Sequence, residues 1–324
     1  MPSHTLSFLM TDLFTWSNLV HAACGGLGSA ISITAVYPLE TARTRLQIDP
    51  DLKPRSSLPL VEVIRKKEGL GGLYRGWSSL VLALFLTNFT YFYIFHGLRH
   101  HSNVDAASSD NTNSLLGLLA TDLGCASVAG IMTVLFTNPF WVVNTRLKLQ
   151  GVPGHSSREI KKLKRPMYRG VLHGLTIIWK DEGLRALWAG TTSSLLLVSN
   201  PALQFMVYEA LKRSDVIHIW LSSFISTTAT VVSLQHLFNG AMAKLVATVV
   251  TYPLQVIQTR RRAGFVRMSI TKQFVSIVQG SGITGLFRGL ESKLTQTCLT
   301  AALMFFVYEH LSTAVFAIAG VAQK

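Results

Sequence analysis

The sequence predicts an all-α membrane protein, with six transmembrane helices in three pseudosymmetric two-helix repeats and short amphipathic helices on the membrane surface. Three observations predict it. The composition is apolar and poor in charge, six stretches have bilayer-spanning length, and two short motifs recur three times at near-constant spacing.

The 324 residues carry 30 Lys+Arg against 16 Asp+Glu, a net charge of +14, yet only 14% of the chain is charged. Mean hydropathy is +0.36. A soluble domain carries about 25% charged residues, so this chain lacks the charge a water-facing surface needs. Disorder, collagen and coiled coil are excluded, and an ordinary soluble enzyme fits poorly. A basic nucleic-acid binder would place its Lys and Arg among polar helices rather than between apolar runs, so no nucleic-acid partner is expected. Cys24, Cys125 and Cys298 each lie in an apolar stretch, and an odd number without paired spacing gives no disulfide framework. No Lys or Arg precedes Arg43, so the first 20 residues predict neither a secretory signal nor an Arg-rich transit peptide.

Stretches long enough to cross a hydrocarbon core of about 30 Å lie near residues 19 to 39, 77 to 98, 115 to 140, 190 to 211, 234 to 254 and 290 to 311. Several are interrupted by Asn88, Asn200, Gln204, Lys244 and Gln296. One side of such a helix is polar, which suits lining a cavity. Gly25, Gly26 and Gly28 in the first stretch have no strand before them and fit close helix packing rather than a dinucleotide fingerprint.

The odd stretches end alike. Pro38 opens PLETARTRLQ, Pro139 opens PFWVVNTRLKLQ and Pro253 opens PLQVIQTRRR, with Arg45, Arg146 and Arg260 seven residues on. A second phrase follows in each copy: EGLGGLYRG ending at Gly76, EGLRALWAG at Gly190 and SGITGLFRG at Gly289. Between the two phrases, residues 60 to 67, 171 to 180 and 270 to 279 read as surface helices, with Val61 and Ile64, or Leu175 and Ile178, at helical spacing. Repeat 1 is therefore placed at 1–105, repeat 2 at 106–215 and repeat 3 at 234–324. Residues 216–233 read as an atypical apolar insertion, because a seventh span there would put the third motif on the wrong face. Of the 30 basic residues, 24 fall in the segments 43 to 76, 146 to 189 and 260 to 288, on one face of the membrane. Both termini then lie on the less basic face.

These phrases resemble the mitochondrial carrier family, whose signature is Pro-x-acid-x-x-base-x-base, a spacer, then acid-Gly, four residues and aromatic-base-Gly. The resemblance covers essentially the whole chain. It implies a six-helix bundle that carries anionic metabolites by alternating access. NFTYFYIF, NPFWVVNTRLKLQG, LLLVSNPALQFMVYE and LTAALMFFVYE are similar to the peroxisomal adenine nucleotide and cofactor carriers of animals. That likeness implies a multi-pass protein of the peroxisomal membrane, with CoA, FAD, NAD and ATP or AMP as transported substrates, working mainly by exchange. The alternatives are a mitochondrial inner-membrane folate, FAD or nucleotide carrier, or a non-transporting membrane tether on the same bundle.

Pro38, Pro139 and Pro253 each remove one backbone hydrogen bond and kink a helix, so three odd helices can converge at the basic face. The family implies a ring of inter-helix ion pairs there, which opens and closes. Its acid positions read Glu40, Trp141 and Gln255 and its first base positions Arg43, Asn144 and Gln258. On these positions alone no complete pair joins neighbouring repeats. Trp141 resembles the tryptophan of the branch that includes folate, FAD and NAD carriers. On the opposite face the family's second gate maps to Arg99, Glu209, Lys212 and Glu309, with His96 and Ser312 in place of an acid and a base. Glu309 with Arg99 is the one full bridge the family pairing implies. Such depleted gates predict measurable uniport beside exchange.

Family cargo positions lie about three and a half turns before His96, Glu209 and Glu309. They map to Ala83 and Leu84, Leu196 and Leu197, and Gln296 and Thr297. Leu84, Leu196 and Leu197 suit an adenine or flavin ring, and Gln296 and Thr297 suit hydrogen bonds to it. Phosphates need cations, and Lys244 and Lys293 are the mid-span candidates. A lysine at helix centre costs about 2.5–3.5 kcal/mol on insertion scales, so Lys244 belongs on a water-filled cavity, while Lys293 is close enough to the edge to snorkel. Asn88, Asn200 and Gln204 suit the same cavity, or Asn200, before Pro201, caps a local break in the helix.

No catalytic or metal residue is assigned, since His100 and His101 are adjacent rather than at metal-ligand spacing. Lys161, Lys162, Lys164 and Arg165 read as a peroxisomal targeting determinant or an anionic-lipid contact. Expected partners are the nucleotide-type substrates, membrane lipids and a peroxisomal membrane-protein import receptor, with the protein itself a monomer.

Overall fold

A computed structural model describes residues 16–49, 56–106, 115–150, 168–213, 228–264 and 268–319. The described residues are helical and form no strand. Repeat 1 contains α1 (Trp16–Ile48), α2 (Ser57–Leu73) and α3 (Trp77–Ala106). Repeat 2 contains α4 (Leu115–Leu149), α5 (Val171–Glu182), the single turn α6 (Leu184–Leu187), α7 (Thr191–Leu197) and α8 (Asn200–Arg213). Repeat 3 contains α9 (Thr228–Ala263), α10 (Ile270–Ser281), a 3-10 turn (Ile283–Phe287) and α11 (Leu290–Ala319). The basic cluster at 161 to 165 lies outside the described residues, as does the apolar segment up to residue 227. Residues 228–233 open α9.

α1 packs extensively along α11, α3 along α4 and α8 along α9. These are joints between repeats, and the α1–α11 joint closes the ring. The fourth span, 190 to 211, is two helices rather than one, with the break beside Asn200–Pro201 that the sequence offered as an alternative. Pro201 carries no N–H to donate, and the helix breaks at Val198–Ser199 into α7 and α8. Three helices are long and apolar enough to cross a membrane among the described residues: Trp77–Arg99, Asp122–Leu149 and Phe238–Ala263. Exposed Phe85, Phe89 and Tyr93 on α3, Phe136 on α4 and Val250 on α9 give the bundle an apolar outside, as a lipid solvent requires.

Each repeat builds the same joint below its proline. Ala42 and Leu46 pack with Leu60, Ile64 and Leu73 in repeat 1. Val142, Val143 and Leu147 pack with Ile178 and Leu187 in repeat 2, and Ile257 with Ile277 and Leu286 in repeat 3. Two glycines with positive φ reverse the chain in each copy: Gly69 and Gly76, Gly183 and Gly190, Gly282 and Gly289. Gly289 also lies under Arg43, whose Cγ would be 3.2 Å from an added Cβ, so a side chain there would be both strained and crowded.

The residue before each proline fastens the odd helix to the start of the even one. Tyr37 Oη donates to Arg75 O at 2.8 Å, Asn138 Nδ2 to Ala189 O at 3.2 Å and Tyr252 Oη to Arg288 O at 2.8 Å. In repeat 2 the Leu135 carbonyl, four residues before Pro139, accepts the Trp188 indole N–H at 3.0 Å. Proline cannot donate to that carbonyl, and the indole N–H takes the place of the missing donor.

Candidate functional site: a basic cluster where the odd helices meet

The contacts between repeats concentrate at the basic end of the bundle, and each joint uses different chemistry. Between repeats 1 and 2, Lys148 Nζ lies 3.1 Å from Glu40 Oε1, with side chains 3% and 11% exposed. This corrects the expectation that no acid–base pair joins neighbouring repeats. Lys148 lies one helical turn beyond Asn144, the motif's base position, on the same side of α4, and its long side chain reaches across. Asn144 instead donates to Gly76 O and Ser79 Oγ at the start of α3. Trp141, at the acid position, donates its indole N–H to Thr87 Oγ1 at 3.0 Å, one turn beyond Leu84.

Between repeats 2 and 3, hydrogen bonds to neutral acceptors replace the ion pair. Gln258 Nε2 donates to Ser194 Oγ at 2.7 Å. Arg262 Nη2 donates to Ser194 Oγ at 3.1 Å and Asn138 Oδ1 at 3.3 Å, and its guanidinium lies 5.4 Å from the Trp141 ring centroid, in cation–π range. Between repeats 3 and 1, Gln47 Nε2 donates to Tyr252 Oη at 3.1 Å and Arg260 Nε to Gln47 O at 2.7 Å. Gln255 stays within its own helix, donating to Thr251 Oγ1, which also takes the side-chain N–H of Asn200.

A cluster of charge sits at this convergence. Glu40 pairs with Arg43 at 3.0 Å on its own helix as well as with Lys148. Lys293, on the first turn of α11, interacts electrostatically with Arg43, Glu40, Lys244 and Lys148. Arg43 and Glu40 on α1, Lys148 on α4 and Lys244 on α9 thus all lie within electrostatic reach of Lys293 on α11. Arg43, Lys148 and Lys293 therefore surround the Glu40 carboxylate, and Lys244 lies within electrostatic reach of Lys293. In a medium of low dielectric constant, that excess of positive charge favours an anionic guest.

Lys244 is thus within electrostatic reach of Lys293. Thr297 donates to Lys293 O, and the neighbouring Gln296 Oε1 is buried with no hydrogen-bond partner. Leu84 is half-buried and Asn88 exposed on α3; Leu196 is exposed and Leu197 half-buried at the end of α7; Gln204 is half-buried on α8. At the opposite face Arg99 Nε pairs with Asp122 Oδ1 of α4 at 3.1 Å, an acid outside the motif. Glu209 is half-buried and Lys212 exposed on α8, and Glu309 is exposed on α11. Among the described residues no group of His, Cys, Asp and Glu is placed to hold a metal ion.

Sequence reasoning missed Lys148, Asp122, Ser194 and the residues before the prolines. For the last of these a signal existed, since Tyr37, Asn138 and Tyr252 occupy one register of the repeat.

A family profile described as "Mitochondrial carrier protein" matches residues 15–104, 118–215 and 229–317. The chain is 40% identical to "Peroxisomal membrane protein PMP34" of Mus musculus, over 96% of this chain and 98% of that protein. It is 28% identical to the "Peroxisomal nicotinamide adenine dinucleotide carrier" of Arabidopsis thaliana, over 90% and 95%. It is 30% identical to "Nicotinamide adenine dinucleotide transporter 2, mitochondrial" of the same plant, over 89% and 77%. With three copies of the signature, a ring of helices closed by α1 on α11 and these relatives, the chain belongs to the mitochondrial carrier family, as a multi-pass protein of the peroxisomal membrane.

Proposed function

We propose that the protein carries nucleotide-type cofactors, of the CoA, FAD, NAD, ATP or AMP kind, across the peroxisomal membrane by alternating access, mainly by exchange. One observation carries the reading: Arg43, Lys148 and Lys293 surround the carboxylate of Glu40, with Lys244 within electrostatic reach of Lys293. Phosphate groups supply the compensating charge. The relatives named as NAD carriers support the same class. Leu84 and the Trp141 ring near it offer an apolar wall for a base, and the unpartnered Gln296 Oε1 an acceptor for an amino or hydroxyl group.

Exchange requires that the empty carrier change state more slowly than the loaded one. The Glu40–Lys148 pair and the hydrogen bonds at the other two joints are the contacts that must open in that step. The test is uptake of radiolabelled NAD, ADP and CoA by liposomes containing the purified protein. Uptake stimulated by internal nucleotide is expected. Uptake no greater than in protein-free liposomes would reject transport and favour a tether on the same bundle.

A further inference from the structure

Arg43 occupies the gate-base position of the first repeat, yet its geometry is not that of a gate. Its Nη2 pairs with Glu40 on its own helix, three residues away, and that bond joins no two repeats. The bond between repeats comes from Lys148, nine residues beyond Pro139 and outside the motif's acid and base positions. Arg43 Nε and Nη1 are left buried with no hydrogen-bond partner. Donors on an ionised group in that condition are costly, by roughly 1–3 kcal/mol or more each. They persist where a ligand meets them.

The side chain also points the right way. Arg43 passes over Gly289, its Cγ at 3.2 Å from where a Cβ would stand, and the Gly289 carbonyl accepts the backbone N–H of Lys293. Arg43 is thereby directed at the first turn of α11, and of the charges around Lys293 it has the largest influence. Two cations facing each other repel unless an anion lies between them. Glu40 cannot be that anion alone, because it already serves both Arg43 and Lys148.

On the reading that the cargo is a nucleotide, we propose that Arg43 and Lys293 form its phosphate subsite, and that Lys148 has taken over the gate role the motif would give Arg43. The subsite lies between repeats 1 and 3, which orients the cargo: phosphates toward α1 and α11, base toward Trp141 and α3. With Lys244 also near, it suits a diphosphate better than a monophosphate.

Arg43→Gln and Lys148→Gln, compared with wild type in proteoliposomes, separate the two roles. The readouts are the KM for ADP, the KM for AMP, and uptake of labelled ADP into liposomes without internal nucleotide. Arg43→Gln is expected to raise the KM for ADP at least tenfold, and the KM for AMP less, without raising uptake into empty liposomes. Lys148→Gln is expected to raise that uptake several-fold. Arg43→Lys, which keeps the charge but loses the planar donors, covers the case in which the glutamine variant does not fold. It should retain uptake with the preference for ADP over AMP reduced. If either Arg43 variant increases empty-liposome uptake as Lys148→Gln does while its KM for ADP stays at the wild-type value, Arg43 is a gate residue and the proposal fails. Wild-type protein that takes up neither nucleotide would overturn the nucleotide reading itself, and the subsite with it.

Discussion

The first two copies of the signature differ from the third in how they hold the arginine seven residues after the proline. Arg45 makes two bonds to the Glu68 carboxylate, one of them 3.0 Å long, and Arg146 does the same to Glu182. Both arginine side chains are almost fully buried, at 2% and 1% exposure. In the third copy the acid position is Ser281. Arg260 there donates Nε to the Gln47 carbonyl of repeat 1, and its Nη2 is buried without a partner. Copies 1 and 2 thus pin their surface helices with an ion pair inside the repeat, copy 2 also sending Arg146 Nε to the Arg262 carbonyl of repeat 3, while copy 3 keeps the link to the repeat beside it without the ion pair. What remains under α10 is the apolar contact of Ile257, Ile277 and Leu286. Repetition preserves a backbone joint, and the polar residues within it can be reassigned one copy at a time.

The contrast can be broken most severely in copy 2. Glu182→Gln leaves Arg146 buried with no counter-charge, and breaking a buried pair from one side costs about 3–5 kcal/mol. A large drop in the melting temperature of the purified protein in detergent is expected. An unchanged melting temperature would show that the buried pair does not hold α5 against α4.

Restoring the missing acid should act in the opposite direction and more weakly. Ser281→Glu places a carboxylate at the position that Glu68 and Glu182 occupy, with Arg260 as its partner. A charge-assisted hydrogen bond contributes about 1.5–3 kcal/mol, from which the desolvation of the new carboxylate subtracts, so a gain of about 1 kcal/mol is expected in the same melting assay. A loss of stability would mean that copy 3 has closed over the space the acid once filled.

The smallest effect belongs to the outer face of α2, where Glu62 meets Arg65 and Lys66 at 3.4 Å. These side chains are half or more exposed, and such pairs contribute about 0–1 kcal/mol. Glu62→Ala should leave both melting and transport near wild type, which sets the baseline for the two buried changes.

The fold was legible because its signals are local and triplicated. A proline followed by arginine at fixed spacing, and a glycine after an aromatic, mark the same turn wherever they occur, and the glycines prove to need positive φ. The break between α7 and α8 was less legible, since the apolar character of 190 to 211 runs through it and only Asn200–Pro201 marks it. The site was partly legible. A lysine inside an apolar stretch has to face something polar, which singles out Lys244 and Lys293 without any knowledge of packing. Lys148 and Asp122 could not be read in this way, because each finds its partner on a different helix and belongs to no motif position. Ser194 was hidden for a simpler reason: a serine on a helix says nothing until Gln258 and Arg262 are seen to converge on its hydroxyl.

With the proposed nucleotide cargo, the cations near the bundle axis meet its phosphates, and Lys244 tests this most directly. Its side chain is exposed on α9 within electrostatic reach of Lys293, so its removal breaks no buried contact. Lys244→Ala and wild-type protein, reconstituted at equal amounts into liposomes preloaded with ADP, are to be compared for uptake of labelled NAD and ADP. The account predicts uptake by wild type and its near loss in the variant, with an unchanged melting temperature. Equal uptake by the two proteins would contradict it.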